Sequence, residues 1–441
     1  MKLKSSVSRR GFLGGAATAG AGLCLGLTKA SAAAEKPAAA TAKRAAKSAT
    51  EWPVWETNDE KGLLDVLHSG KWGRGNGSRV KEFENAYAAL TGAKFCLATS
   101  SGTGALLTAL GALDIGPGDE VILPPYTFVA TFNAITHHYA LPVFVDTDPA
   151  TFQIDPKKVP AAITAATKLI LPVHIGGSPC DVDAIVETAR PRKLPVLEDA
   201  CQAWSAQVRG ANVGTRGLAG CFSFQASKNL TAGEGGALIT NDEKFLDRCV
   251  AFHSPSGGKG IVTSGRGGNY RLTEFQAAVL LAQLARFEQQ QKLREANANY
   301  LTSLLEKIPG IAPARFGNGG TRSAWHLYMF HYDKRQFANL PRAKFLEALA
   351  KEGIAASHGY TPLNTSAHVK ALAENPHYQR IYGQQAMARW VDRNQCPVND
   401  RLCEEAAWFP QTKLLGSRRD MERIAEVIAS VQKRAGELAK A

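Results

Sequence analysis

The chain has 441 residues, 45% hydrophobic and 21% charged, with 41 glycines and 21 prolines. That composition excludes a disordered chain, a collagen-like repeat and a small disulfide scaffold, and the length allows two or three domains. The formal charge of +13 falls to +8 without the five basic residues among the first 32, and no dense basic run with interleaved aromatics points to nucleic acid as a partner.

Residues 1–32 read as an export signal. Lys2, Lys4, Arg9 and Arg10 precede an apolar stretch rich in Gly and Ala, and Ala30, Ser31 and Ala32 form a small-residue cleavage site. Residues 8–13, SRRGFL, set two arginines directly before the apolar stretch, the pattern of a twin-arginine signal. This predicts a periplasmic or otherwise exported protein whose membrane contact is confined to the signal. The alternative is an uncleaved anchor, since the stretch nearly reaches the ~20 residues that span a bilayer. Residues 33–50, Ala/Lys-rich and without aromatics, read as a solvated linker. Seven cysteines follow Cys24, several inside apolar runs such as FCLAT and GCFSF, where they behave as small buried hydrophobes. Without a CxxC pair or a Cys/His cluster of zinc spacing, no metal site is expected. A disulfide between Cys396 and Cys403 stays open at this stage.

From residue 95 strands and helices alternate. The run FCLAT meets the small-residue turn 100–104 and then ALLTALGAL, which reads as strand, glycine turn and helix. Strand-like runs follow at 121–123, 142–145, 169–174, 195–197, 220–224 and 237–240, with helical stretches such as 127–137 and 182–189 between them. Such alternation predicts an α/β layer with a largely parallel sheet covered on both faces. Beyond Asn269 comes a long helix over 273–300, then TRSAWHLYMFHYD, PRAKFLEALAKEG and a closing amphipathic RRDMERIAEVIASVQKRAGEL, the makings of a smaller α+β domain. The predicted organisation is a large domain over 51–285 and a small C-terminal domain over 286–441.

Ligands of open α/β sheets bind beyond the carboxyl ends of the strands. Four segments fall there. In TSSGTGAL, Gly102 and Thr103 open a helix whose free N–H groups can hold an anion, or the turn simply caps the helix. In LEDACQAW, Asp199 and Gln202 end an apolar strand, where a carboxylate can hold a cationic nitrogen or merely cap. In CFSFQASKNLTAGEGGALIT, Lys228 follows a stretch, 217–227, without any charge. A desolvated lysine makes an amine nucleophile, whereas position alone suggests an ordinary surface lysine in a loop. The fourth segment, GGNYRLTEFQAA, opens the long helix and contains Asn269.

In this order and spacing, these segments resemble the DegT/DnrJ/EryC1/StrS sugar aminotransferases. The likeness includes WGRGNGSRVKEFENAYAALTGAKFCLATSSGTGALLTAL, PPYTFVATFNAI, FVDTDPATFQID and PVHIGG, and runs from residue 52 to near the C-terminus. It implies the pyridoxal-phosphate-dependent transferase fold of aspartate aminotransferase type, and a homodimer with shared active sites. Lys228 would hold pyridoxal 5'-phosphate as a Schiff base and move a proton, while Asp199 would pair with the pyridinium nitrogen. Gln202 would bond the ring hydroxyl and Phe128 would stack on the ring. Gly102, Thr103 and Ser223 would bind the phosphate, with Asn269 reaching it from a neighbouring subunit. Glu234 reads as shaping its loop.

Gln225 stands where sugar-nucleotide members usually carry His. With EDACQA, SHGYTPLN and CPVNDRLCEEAAWFPQTKLLG it looks like the branch of scyllo-inosose aminotransferases and 3-amino-5-hydroxybenzoate synthases. The implied reaction is a ping-pong transfer of an amino group from Glu or Gln to a keto-cyclitol or keto-sugar. His326, Tyr328 and Tyr360 are candidates for the substrate pocket and equally for a core or interface. The rival readings are a dehydratase or aromatising synthase of the same family, and a non-catalytic exported sugar-binding protein.

Overall fold

The computed structural model describes residues 52–254 and 265–440. The expected export signal and linker lie outside the described residues.

Seven strands build the main sheet: β1 (Phe95–Thr99), β2 (Glu120–Leu123), β3 (Leu141–Phe144), β4 (Thr167–Ile170), β5 (Leu197–Asp199), β6 (Ala219–Ser223) and β7 (Gly236–Thr240). Their spatial order is β1-β7-β6-β5-β4-β2-β3, the two halves meeting where Ile170 pairs with Val196 and Val173 with Asp199. β5 runs parallel to β6, and β2 to β3 and β4, whereas β7 is antiparallel to both β1 and β6. The sheet is thus largely parallel, as the alternation predicts, with one reversed strand.

These strands are short and buried along almost their whole length, because helices cover both faces. Successive side chains feed opposite cores. In β2, Val121 and Leu123 join the core with Leu106, Phe132 and Phe245, while Ile122 joins the one with Phe83, Tyr87 and Phe287. The helices Gly102–Ala112, Val129–His137 and Glu243–His253 supply the first face; Arg79–Thr91, Val182–Ala189 and the start of a long helix supply the second.

That long helix, Glu274–Leu305, is capped by Thr273 and Gln276, which bond each other's backbone N–H groups. Its first half carries Ala277, Leu280 and Phe287 into the large core. Its second half carries Ala298, Leu301 and Leu305 into a separate core. The boundary drawn at 285/286 therefore falls inside one continuous helix. The second core lies against an antiparallel sheet of Ile311–Pro313, Leu327–Tyr332 and Ala406–Pro410, closed by the helix Arg418–Lys433. The intervening helices Ala367–Glu374, Pro376–Tyr382 and Gln384–Arg393 send Val369, Tyr378, Met387 and Trp390 into the large-domain core instead. Cys396 and Cys403 are free thiols in different apolar clusters, so the disulfide left open by the sequence is not formed.

The end of β5 is fixed from beneath. The buried Glu198 carboxylate accepts backbone N–H groups from Gly214, Arg216 and Gly217 at 2.7, 2.9 and 2.7 Å. His174 Nδ1 accepts from the Cys180 N–H, so Nε2 carries the ring proton and donates it to Glu198 at 2.9 Å. Asp199, one residue on, is thereby held facing the opposite side of the sheet.

Candidate active site

A cleft of about 510 Å³ opens beyond the carboxyl ends of β1, β5 and β6. One wall is the N-terminus of the helix Gly102–Ala112. Ser101 caps it: the hydroxyl accepts the Gly104 N–H at 2.9 Å, and the carbonyl accepts that of Ala105. The N–H groups of Gly102 and Thr103 have no carbonyl within the helix to bond, and with the helix dipole they form an anion site. The helix can approach this closely because residue 102 has no side chain: a Cβ there would lie 2.7 Å from Ser223 Cβ and 2.8 Å from Cys201 Sγ. Ser223, at the end of β6, lines the cleft beside it.

Asp199 is nearly buried at the end of β5. Its Oδ2 accepts the Thr131 hydroxyl at 2.8 Å and its Oδ1 the Cys201 N–H at 3.1 Å, which fixes a carboxylate facing the cleft. Phe128 precedes the helix Val129–His137 and is 57% exposed, an apolar ring face presented to the cleft.

Lys228 sits on the turn between β6 and β7, its backbone N–H bonded to the Gln225 carbonyl. Its amine has no hydrogen-bond or ion-pair partner among the described residues. Burial pulls the amine below the ordinary lysine range, against the opposing pull of Cys201 and Asp199. The result is a larger neutral, nucleophilic fraction than a surface lysine holds.

His326 is buried, and its Nδ1 lies 3.1 Å from Asn229 Oδ1. Because Asn229 Nδ2 donates to the Ala324 carbonyl, Oδ1 must accept, so His326 carries its proton on Nδ1 and leaves Nε2 bare. Burial, then the charges of Lys228 and Arg294, hold the imidazole well below its usual pKa and therefore neutral.

Nine of the residues expected from sequence line this one cleft: Gly102, Thr103, Phe128, Asp199, Gln202, Ser223, Lys228, His326 and Tyr360. Two do not. Tyr328 is buried in the small-domain core, its hydroxyl 2.8 Å from that of Thr302 and its ring against Trp325 and Phe409. The strand starts at Leu327, after Trp325 in the left-handed region at φ 54°, so Leu327 faces the cleft and Tyr328 turns away into the core, one of the two readings left open for it. Asn269 is exposed and lies outside its own chain's cleft.

The cleft also contains residues that sequence reasoning left out. Thr131 was legible as the hydroxyl one helical turn after Thr127, which it bonds at 2.9 Å. Glu234, read as a loop former, lines the cleft with its carbonyl held by Gln276 Nε2 at 2.9 Å. Trp408, from the far end of the chain, had no local signal.

A flat, anionic heterocycle with a basic ring nitrogen and an aldehyde fits these groups: N–H donors for the phosphate, a carboxylate for the nitrogen, a partnerless amine for the aldehyde. The fold and this cleft define a pyridoxal-phosphate enzyme of the aspartate aminotransferase fold. Residues 54–432 match the DegT/DnrJ/EryC1/StrS aminotransferase family, and the chain belongs to it. It is 38% identical over 411 residues to an L-glutamine:2-deoxy-scyllo-inosose aminotransferase of Streptoalloteichus tenebrarius, covering 88% of this chain and 96% of that protein. Among solved structures, 3-amino-5-hydroxybenzoic acid synthase superposes with a TM-score of 0.75 at 32% identity, over 87% of this chain and 98% of that one. NtdA of Bacillus subtilis, with bound cofactor PMP, gives a TM-score of 0.72 at 27% identity, over 85% of this chain and 81% of that one. The protein is a pyridoxal-phosphate-dependent aminotransferase.

Replacing Lys228 with Ala will leave the thermal melt close to wild type while removing the visible band of bound pyridoxal phosphate and lowering turnover by about three orders of magnitude or more. A variant that keeps the band would show that another amine holds the cofactor.

Proposed function

We propose that this aminotransferase carries nitrogen from glutamine or glutamate to the ketone of an uncharged cyclitol or sugar. The observation that carries this reading is the charge of the cleft. Among its described lining residues Lys228 is the one cation, His326 is neutral, and Gln225 stands beside Ser227. A nucleotide diphosphate would find no arginine there, whereas a polyhydroxylated ketone would find amides and hydroxyls. The likeness to an inosose aminotransferase over nearly its whole length supports the same choice.

Each residue then has a task. Gly102, Thr103 and Ser223 hold the phosphate, and Asp199, fixed by Thr131 and the Cys201 N–H, holds the ring nitrogen in its protonated form. Phe128 packs on the ring face, and Gln202 offers an N–H to the ring hydroxyl. When bound, pyridoxal phosphate supplies an electron sink that lets bonds to the adjacent carbon break heterolytically. Lys228 Nζ takes the proton from the α-carbon of the donor and delivers one to the acceptor carbon in the second half reaction. His326, with Nε2 bare, accepts a hydrogen bond from an acceptor hydroxyl.

The test is a pair of half reactions. Glutamine added to the loaded protein abolishes the visible band, scyllo-inosose restores it, and the product is a cyclitol amine with every other hydroxyl retained. Restoration only by a nucleotide-linked ketone would overturn the substrate class. A product that has lost water would favour the aromatising chemistry of the structurally similar synthase.

We further propose a homodimer in which Asn269 completes the partner's phosphate site. Asn269 is exposed outside its own cleft, and Leu63, Leu64, Leu67 and Trp72 form an exposed apolar group near the chain's start. Mixing inactive Lys228→Ala and Asn269→Ala proteins will restore activity, because one site of each hybrid receives both intact residues. No recovery on subunit exchange would place Asn269 in cis or outside the site.

For residues 1–32 the proposal is twin-arginine export after cytoplasmic folding, a route suited to a protein that must take up its cofactor before crossing the membrane. The arginine pair and the small residues at 30–32 support it. Changing Arg9 and Arg10 to Lys will strand folded, cofactor-loaded precursor in the cytoplasm, whereas the wild type will be found outside the inner membrane with its N-terminus near Ala33. Soluble cytoplasmic protein that keeps Met1 whether or not the pair is changed would defeat export.

A further inference from the structure

Gln202 is held at both ends of its amide. The Gly176 N–H, 2.8 Å away, can be accepted only by an oxygen, which places Oε1 on that side. Nε2 is thereby turned the other way, and one of its two hydrogens goes to the Tyr360 hydroxyl at 3.0 Å. The second has no partner among the described residues, and Gln202 lines the cleft. The amide therefore offers the cleft a donor and never an acceptor.

Tyr360 is well placed to enforce this. Its ring stands edge-on to Tyr126 at 5.3 Å and packs at a steep angle against Trp408 at 4.9 Å. The segment that carries it is pinned to the small-domain sheet by reciprocal backbone bonds between Ser357 and Trp408, 2.9 and 3.1 Å long. Burial pushes the phenol up to about 12, so the hydroxyl stays neutral over any working pH and can accept from the amide without becoming charged. The sequence left Tyr360 open between the substrate pocket and a core or interface; the structure commits its oxygen to Gln202.

We propose that Tyr360 is a positioning residue acting through Gln202: its hydroxyl and the Gly176 N–H together lock the amide so that an N–H faces the ring hydroxyl of the bound cofactor and holds that hydroxyl ionised. The proposal rests on the reading of this cleft as the pyridoxal phosphate site. A hydrogen bond donated to the ionised form lowers the pH at which that form appears, so loosening the donor raises it.

The experiment uses full-length holoenzyme and reads the pH midpoint at which the visible band of bound pyridoxal phosphate changes. Tyr360→Phe keeps the ring packing and removes only the oxygen. The midpoint will rise by about half to one pH unit, the equivalent of one ordinary hydrogen bond. The glutamine half reaction will slow, while KM for the keto acceptor stays near wild type. Gln202→Leu will raise the midpoint further, and adding Tyr360→Phe to it will change nothing more, because the two act in series. Asp199, Cys201, Lys228, Glu234 and His326, the other titratable groups lining the cleft, are the same in every protein compared. An unmoved midpoint with a raised acceptor KM would return Tyr360 to the substrate and overturn the proposal. Full additivity of the two changes would also overturn it. Should Gln202→Leu fail to retain cofactor, the midpoint of Tyr360→Phe alone decides. A wild-type protein that shows no visible band at all would instead remove the underlying reading of the cleft.

Discussion

The carboxylate of Glu198 accepts three backbone N–H groups and the His174 imidazole in a site without solvent, and the chemistry of the cleft hangs from that contact. Any of these donors left unpaired would carry a full desolvation cost, so together they fix the end of β5 to the loop 214–217 and to His174. His174 in turn precedes the Gly176 N–H that orients Gln202, and Asp199 follows Glu198 directly. Two side chains assigned to the cofactor ring are therefore positioned by one buried acceptor that never meets the cofactor.

Charge in the cleft is kept sparse. Lys228 is partly buried and has no ion-pair partner among the described residues, which weakens its hold on a proton. Asp199, close enough to act on it electrically, is engaged by Thr131 and a backbone N–H, both neutral donors. His326, which by ordinary histidine behaviour could have added a second cation, is kept neutral by burial and by the charges of Lys228 and Arg294. A single titratable amine set among neutral donors suits a site that must take a proton from one carbon and deliver one to another.

Much of this was legible along the chain, and the exceptions have physical causes. The strands of the main sheet stand out because each is a short apolar run buried on both faces. The reversal of β7 does not, since GALIT reads alike in either direction. Lys228, Asp199 and the Gly102 turn are local features at strand ends, but position alone allowed an ordinary reading for each, and the resemblance to the family singled them out. The bond between Gln202 and Tyr360 joins residues 158 apart and follows from how the C-terminal segment folds back, which no local pattern encodes. Tyr328, which the sequence left open between the substrate pocket and a core or interface, belongs to the small-domain core. The boundary drawn at 285/286 falls within the long helix, which feeds both cores, Phe287 entering the large one and Ala298 the small one.

The central claim is that the amine of Lys228, partly buried and without a hydrogen-bond or ion-pair partner among the described residues, is where the cofactor attaches. Borohydride added to the yellow holoenzyme reduces and fixes that linkage, and peptide mapping then locates the pyridoxyl group. The account predicts one modified site, in the peptide spanning SKNLTAGEGG, at Lys228. Label on any other lysine, or none on a protein that retains its colour, would contradict it.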